Sequence, residues 1–254
     1  MTKIYEVRGV RIGEGRPKII VPIVGKDKKA ILEKARSFEG LPIDVVEWRV
    51  DFYEDVFDIS KVMDTLNELR MVLLEKPILF TFRTKNEGGE KEISMEEYTR
   101  LNKVVANSGL VDLIDVEIFS GDEIVRENIE NIHGANVLVV GSNHDFHQTP
   151  EKDELLRRLQ KMQEMGADIP KIAVMPQTPA DVLVLLSATY EMVSCFADRP
   201  IITMSMSSKG VISRMAGEVF GSSMTFGAVG QVSAPGQIPV EKLECVLDIL
   251  HNAM

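Results

Sequence analysis

Cysteine and aromatic residues are scarce in this sequence of 254 residues, which has two cysteines and an aromatic content of 6%. Neither cysteine is part of a CxxC pair, and Cys195 and Cys245 both lie in apolar patterns with helical spacing. We therefore predict two buried free thiols, a state typical of a reducing cytosol. With few aromatic rings available, the core must be built from Val, Ile, Leu and 13 Met.

Positive charge is also in deficit, since the formal net charge is −10 and no basic stripe is interleaved with aromatic residues. Nucleic acids and anionic membrane surfaces are therefore poor partners. The N-terminal MTKIYEVRGVRIG lacks the apolar stretch of a signal peptide, and no run approaches the ~18–20 apolar residues of a membrane span. We expect a soluble cytoplasmic protein that binds a small molecule. An anionic substrate is not excluded, because a few local arginines outweigh the global charge.

Histidine is represented by four scattered residues. His133 and His251 fall in stretches of helical pattern, and the sequence contains no HxxxH or Cys–His spacing. Because zinc sites place such ligands at short, recurring spacings, we predict chemistry without a metal. We also expect no cofactor.

Short runs of β-branched residues alternate with longer amphipathic segments along the whole chain. The predicted strands start at Lys18, Ile43, Pro77, Leu113, Asn136, Lys171, Pro200 and Thr225. Each run is almost continuously apolar, as expected for parallel strands buried on both faces. About eight units that repeat every ~23–36 residues are typical of a closed (β/α)8 TIM barrel. An open doubly wound sheet is the alternative, but it normally has fewer units and a glycine-rich first turn.

Turn and cap residues support this organisation. Ser94 precedes a helical pattern as a cap, and Thr149-Pro150 and Thr178-Pro179 resemble a cap followed by proline at the first helical position. Residues 1–16 are predicted to form a β-hairpin that turns around Gly9 and closes the barrel floor. Since no linker or change in composition interrupts the chain, we treat residues 1–254 as a single barrel domain.

Polar residues near the carboxyl ends of barrel strands are the first candidates for chemistry. Such residues follow or interrupt most of the predicted strands: Glu47, Arg49, Arg83, Glu87, Asp115, Glu117, His144, Arg214, Ser233 and Gln237. Lys171 opens its predicted strand, so its amine reaches the site only if the side chain points up the barrel interior. There, apolar surroundings and nearby arginines would lower the pKa of the amine and free it to attack a carbonyl.

Each candidate also has a purely structural interpretation. A lysine that precedes a strand, as Lys171 does, is usually a solvated surface residue. Glu47 with Arg49 forms a plausible buried ion pair because alternate residues of a strand share a face. Arg83 alone fits a strand-end salt bridge, and Glu87 fits an exposed turn. The residues alone predict a metal-free barrel enzyme that uses Lys and His on a small, polar, anionic carbonyl compound.

Seven segments, taken in order, extend the argument: EWRVD, TFRTKNEGGE, SNHDFHQTP, IPKIAVMPQ, PIITMSM, GVISRMAGEVFGS and SAPGQI. Together they resemble the signature segments of type I 3-dehydroquinate dehydratases, from about Lys18 to the C-terminus. The resemblance implies a (β/α)8 barrel, a homodimer and the third step of the shikimate pathway. In that step, 3-dehydroquinate loses water to give 3-dehydroshikimate.

The resemblance also implies roles for individual residues. Lys171 matches the family's Schiff-base lysine, His144 its acid/base histidine, and Glu87 the carboxylate paired with that histidine. The matching binders of substrate hydroxyls are Glu47, Arg49 and Arg83. The substrate carboxylate would be held by Arg214, Ser233 and Gln237, the last two on a loop that closes over the site, and the pocket would be lined by Met204, Met206 and Phe226. One departure is Pro22, where we expect a serine in close relatives.

Two other functions remain as alternatives. A Schiff-base aldolase on the same barrel would share Lys171 but would need a phosphate site, for which backbone N–H groups of the GAVG segment are candidates. A non-catalytic binding barrel would have a decayed site, against which the intact set of Lys171, His144 and Glu87 argues.

Overall fold

The computed structural model describes residues 2–230 and 236–254. A small antiparallel hairpin of β1 (Tyr5–Val7) and β2 (Val10–Ile12) precedes eight parallel barrel strands within these residues. The barrel strands are β3 (Lys18–Ile23), β4 (Val45–Arg49), β5 (Ile78–Thr81), β6 (Leu113–Glu117), β7 (Leu138–Asp145), β8 (Ile169–Val174), β9 (Ile202–Ser205) and β10 (Met224–Ala228).

Helices cover the outside of this sheet, as right-handed crossovers between parallel strands require. They are α1 (Lys28–Arg36), α2 (Ile59–Val72), α3 (Met95–Ala106), α4 (Asp122–His133), α5 (Lys152–Glu164), α6 (Pro179–Glu191), α7 (Val211–Met215), α8 (Gly217–Phe220) and α9 (Val240–Ala253). Ser94 caps α3, and Thr178 forms a capping box with Asp181 before Pro179, both as predicted.

The sheet curls until its first and last strands meet. Each strand from β3 to β8 pairs with the next along the chain, and β10 pairs with β3. An isolated parallel bridge between Ile201 and Ser222 joins the entrances of β9 and β10. At the other end a short strand, β11 (Ile238–Pro239), lies against Gly227 and Ala228 of β10. The predicted (β/α)8 barrel is therefore confirmed, and the alternative prediction of an open doubly wound sheet is wrong.

The barrel interior is layered because side chains of a strand alternate between its two faces. The lower layer is apolar and takes one residue from each strand: Ile20, Val45, Leu79, Leu113, Val140, Ile169, Ile202 and Met224. Two positions further along each strand lie Pro22, Glu47, Thr81, Asp115, Ser142, Lys171, Met204 and Phe226, all of them buried. The period of two therefore places the polar layer directly above the apolar floor.

The N-terminal hairpin closes the floor from below. Arg8 and Gly9 have positive φ angles of 47° and 79°, which matches a tight two-residue hairpin turn. Tyr5 and Ile12 are buried against the apolar lower layer. The Tyr5 hydroxyl donates a hydrogen bond of 2.8 Å to Asp168 Oδ1. The predicted hairpin at the barrel floor is thus confirmed, and both apolar and polar contacts tie it to the barrel.

Two local predictions were wrong. Cys195 and Cys245 are exposed. Cys245 lies between Leu243 and Leu247, which are on the buried face of α9, so its own side chain projects from the opposite face. Thr149 does not cap α5, which begins two residues later with Glu151 at the N-cap, and its hydroxyl instead donates to the Met175 carbonyl.

The segment Pro179–Phe196 is long and apolar enough, by length and composition alone, to cross a membrane. The prediction that no run approaches this size was therefore wrong. The segment comprises α6 and the π-helical turn after it, and α6 packs against α5 and β9 with Val182, Leu185 and Thr189 buried. Its apolar character thus serves, at least in part, to cover the barrel.

The anchoring of the hairpin can be tested with Tyr5→Phe. The substitution removes the donor to a partly buried carboxylate, which should cost about 1–3 kcal/mol of unfolding free energy. We expect Tm to fall by several degrees in thermal unfolding followed by circular dichroism. The matched control is Tyr190→Phe, because Tyr190 is 61% exposed. An equal change of Tm in both variants would contradict the proposed anchor.

Candidate active site

A cavity of about 170 Å³ opens at the carboxyl ends of the barrel strands. Its walls include every predicted site residue that the structure describes: Lys171, His144, Glu87, Glu47, Arg49, Arg83, Arg214, Gln237, Met204, Met206 and Phe226. Ser233 lies outside the described residues.

Lys171 was predicted to be the first residue of its strand, but it is the third residue of β8, because the strand begins before Pro170. Proline is tolerated near the start of a strand, so it did not mark the boundary here. The side chain points into the barrel and is 3% exposed. Its Nζ lies 3.0 Å from Asp115 Oδ2 and 4.8 Å from the centroid of the Phe226 ring. The interpretation of Lys171 as a solvated surface residue is therefore wrong.

A network of charges from neighbouring strands surrounds Lys171. Arg83 donates from Nη2 to Asp115 Oδ1 at 2.8 Å and from Nη1 to Glu117 Oε1 at 2.8 Å. Ser142 accepts from Arg83 at 3.0 Å and donates to Asp115 Oδ1 at 2.6 Å. Burial alone would raise the pKa of Asp115, but Arg83, Lys171 and the bond from Ser142 outweigh it and hold that pKa below its usual value.

Sequence reasoning recorded Asp115 and Glu117 but gave neither a role. The available signal was their alternation within an apolar strand, which puts both carboxylates on the interior face of β6. That pattern does not reveal their partners. The contacts with Arg83 and Lys171 come from β5, β8 and the turn after β5, and they depend on the closure of the barrel.

His144 and Glu87 form a second pair at the cavity wall. His144 lies within β7, not in the loop after it as predicted, because β7 pairs with β8 as far as Asp145 and Val174. Its Nδ1 is 2.9 Å from Glu87 Oε2, and its backbone N–H donates to the same oxygen at 2.9 Å. Because both contacts hold the Nδ1 side of the imidazole against Glu87, the second ring nitrogen, Nε2, points away from Glu87.

The turn that carries Glu87 requires glycine at two positions. Gly88 has φ +83°, and a Cβ there would meet the Phe146 ring at 2.4 Å. A Cβ on Gly89 would lie 1.9 Å from the Arg83 carbonyl oxygen. The two glycines therefore let the turn fold back closely enough to bury Glu87 beside His144.

Burial changes the ionisation of this pair. It lowers the pKa of His144 well below its ordinary value, and the positive charges of Arg83, Lys171 and Arg49 act in the same direction. Burial also raises the pKa of Glu87, reinforced by Glu117 and opposed by Arg83. The imidazole is therefore neutral near pH 7 and has the form that a general base needs.

Glu47 and Arg49 share the cavity wall, but the ion pair that was the structural alternative for them does not form. Arg49 instead holds Asp51 through two bonds of 2.8 Å from Nε and Nη2. Glu47 Oε1 accepts from Thr81 Oγ1 at 2.9 Å and lies 3.9 Å from Lys171 Nζ. Glu47 therefore lies closer to the candidate nucleophile than to the arginine on its own strand.

The opposite wall combines a buried cation with apolar side chains. Arg214 on α7 is 1% exposed, and burial lowers its pKa to about 10, so it remains charged at neutral pH. Its Nη1 lies 3.7 Å from Met204 Sδ. Gln237 reaches the cavity from the segment next to β11, where Gly236 packs closely on the Ser207 carbonyl. A guanidinium in this position presents a planar donor fork to an anion.

Among residues 2–230 and 236–254, no cluster of three or more His, Cys, Asp or Glu side chains is arranged to hold a metal ion.

Comparison with known proteins connects this geometry to a family. A family model described as type I 3-dehydroquinase matches residues 19–254. The chain belongs to the type I 3-dehydroquinase family. It is 56% identical to a 3-dehydroquinate dehydratase from Clostridioides difficile (strain 630) over the full length of both chains. It is 53% identical to one from Salmonella agona (strain SL483), covering 99% of this chain and 100% of the relative.

Solved structures give the same relationship. A crystal structure of type I 3-dehydroquinate dehydratase from Clostridium difficile, with covalent modified comenic acid, matches with a TM-score of 0.98, 56% identity and full coverage of both chains. A 3-dehydroquinate dehydratase from Enterococcus faecalis matches with a TM-score of 0.90 and 44% identity, covering 96% of this chain and 98% of that one.

Pro22 is the residue at which we expect a departure from type I 3-dehydroquinases. It occupies the same interior layer as Lys171, in register with Glu47. The ladder between β10 and β3 ends with the pair Phe226 and Ile20, before it reaches Pro22. A proline at this point therefore interrupts no further ladder bond to β10, but its ring offers the cavity no hydrogen-bond donor.

The neutral state of His144 can be measured by ¹⁵N NMR of the imidazole in the ligand-free protein. We expect its titration well below the ordinary value of about 6.5, because burial and three nearby cations disfavour the imidazolium. Since the unfolded chain takes up this proton at higher pH, the folded state should lose stability as pH falls below about 6.5. His144→Asn assigns the resonance by its absence, and titration at or above pH 6.5 would contradict the assignment of a neutral base.

Proposed function

We propose that this protein dehydrates 3-dehydroquinate to 3-dehydroshikimate through an imine on Lys171. The observation that carries the proposal is a buried primary amine at the base of the cavity whose wall holds the His144–Glu87 pair. Membership of the type I 3-dehydroquinase family supports the substrate and the overall reaction. The role of each side chain follows from its chemistry and position.

Lys171 attacks the ketone of the substrate as the free amine, and the resulting carbinolamine takes up the proton that the amine had released and loses water to give an iminium. The iminium withdraws electrons from the adjacent carbon more strongly than the ketone did, so the proton on that carbon becomes easier to remove. This effect needs no metal and no cofactor. Phe226, whose ring lies under the amine, and the neighbouring Met204 and Met206 limit the access of water to the imine.

His144 removes the α-proton as a general base, because its imidazole is neutral before the reaction. The C–H electrons form an enamine, which then expels the β-hydroxyl as that oxygen takes the proton back from His144. One residue serves both steps only if both groups lie on one face of the substrate, so we propose a syn elimination. Positioned proton transfer of this kind is typically worth ~10²–10⁴-fold in rate. Glu87 keeps Nδ1 oriented and stabilises the transient imidazolium.

The remaining polar groups orient the substrate. Arg214 is proposed to bind the carboxylate, together with Gln237 and Ser233 on the segment that would close over the site. Glu47, Arg49 and Arg83 are proposed to bind hydroxyl groups. Arg83 already donates to four protein acceptors, so any contact with substrate must share those donors. After elimination, water hydrolyses the imine, and Lys171 is regenerated.

The proposal can be tested by mass spectrometry after borohydride reduction in the presence of 3-dehydroquinate. We expect one covalent adduct on the wild type, located in the peptide that contains Lys171, because hydride converts the imine into a stable secondary amine. Lys171→Ala should show no adduct and no turnover. The matched control is Lys209→Ala. Because Lys209 is exposed, this variant should form the same adduct as the wild type. A folded wild type without an adduct would overturn the imine mechanism.

We also propose, from the family resemblance, that the protein is a cytoplasmic homodimer that acts in the shikimate pathway. Exposed apolar side chains on α6, α7 and α8, namely Leu183, Tyr190, Ile212 and Val219, offer surface for such an association. Sedimentation velocity at micromolar concentration should give twice the chain mass of 28.4 kDa. Sedimentation as a monomer alone would overturn the proposed dimer.

A further inference from the structure

We propose that Asp115 is the counter-ion of the protonated imine on Lys171, and that it keeps this imine in the electron-withdrawing form during elimination. The inference rests on the proposed function, because it assigns a role at the nitrogen that forms the imine. Asp115 has no role in the sequence-based predictions.

The two oxygens of Asp115 have different partners. Oδ1 accepts from Arg83 at 2.8 Å and from Ser142 at 2.6 Å, whereas Oδ2 accepts from Lys171 Nζ at 3.0 Å. The side chain is fully buried, and its position is set by Arg83 from the segment after β5 and by Ser142 from β7. The carboxylate is therefore oriented by Arg83 and Ser142 so that one oxygen is directed at Nζ.

Glu47 is the other carboxylate near Nζ, but the geometry favours Asp115. Glu47 Oε1 lies 3.9 Å from Nζ, beyond the distance of a hydrogen bond. That oxygen also accepts from Thr81. Asp115 is thus the carboxylate that already makes the contact an iminium N–H would need.

Other charged and titratable groups surround this pair and define its electrostatic setting. From the strands and turns packed around it they are Glu47, Arg49, Arg83, Glu87, Tyr98, Glu117 and His144. Arg83 neutralises part of the charge of Asp115, and Glu117 in turn neutralises part of the charge of Arg83. Asp115 differs from Glu117 in that its carboxylate also contacts Lys171.

The chemical consequence follows from the state of the imine nitrogen. When the ammonium and the ketone condense, two of its three hydrogens leave with the ketone oxygen as one water, and the nitrogen keeps the third hydrogen and the positive charge. That N–H can retain the bond to Asp115 Oδ2 that the ammonium made before. A neutral imine would withdraw electrons poorly from the α-carbon, so a fixed negative charge beside the nitrogen favours the step in which His144 removes the proton.

The experiment follows imine trapping as a function of pH with 3-dehydroquinate and cyanoborohydride, a reductant that delivers hydride to protonated imines. The adduct is quantified by mass spectrometry in wild type and Asp115→Asn. We expect trapping to decline with rising pH in both proteins, with the midpoint about 1–3 pH units lower in the variant, as for the loss of an opposite charge in direct contact. A structural defect alone would lower the amount of adduct without moving the midpoint.

Glu117→Gln is the matched control because it removes a second buried carboxylate from the same Arg83 without touching Lys171. The midpoint of its trapping curve should lie at the same pH as that of the wild type. Ser142→Ala keeps the charge of Asp115 and removes one competing bond, so its midpoint should stay level or rise, and this variant also serves if Asp115→Asn does not fold. Equal shifts in Asp115→Asn and Glu117→Gln, or a lower midpoint in Ser142→Ala, would overturn the counter-ion. Absence of any adduct on the wild type would instead overturn the imine mechanism itself.

Discussion

Burial of charge inside the barrel is the constraint on which the site depends. Moving an ionised group out of water costs several kcal/mol unless a partner of opposite charge is well placed. Arg83 therefore lies between Asp115 and Glu117, and Asp115 in turn contacts Lys171. Each charge orients the next, so the primary amine is held at one point of the cavity by groups from β6 and the end of β5.

The same burial gives the His144–Glu87 pair its properties. Three cations near the imidazole disfavour its protonated form, while Glu87 holds its Nδ1 from the other side. The histidine is thus neutral at rest and still has Glu87 beside its Nδ1 when it receives a proton. A surface histidine would lack both effects, because water screens the cations and hydrates the imidazolium.

The alternation of apolar and amphipathic segments was enough to predict the barrel, its hairpin floor and the end of the barrel at which the polar groups gather. The errors arose where a local pattern was used to assign a partner or a boundary. Glu47 and Arg49 share a face of β4, but the nearest complement of Arg49 is Asp51, two residues further along the chain. The strand predicted to start at Lys171 begins at Ile169 and includes Pro170.

The sequence by itself determined which side chains face the barrel interior, because the period of a strand is two and each strand passes through the apolar floor before it reaches the polar layer. It did not determine which of those side chains touch. Asp115 and Lys171 are 56 residues apart, and their contact depends on strand order and on the stagger between neighbouring strands. Those quantities arise from closing eight strands into one ring, so only the tertiary structure decided that the amine would meet Asp115, with Glu47 0.9 Å more distant.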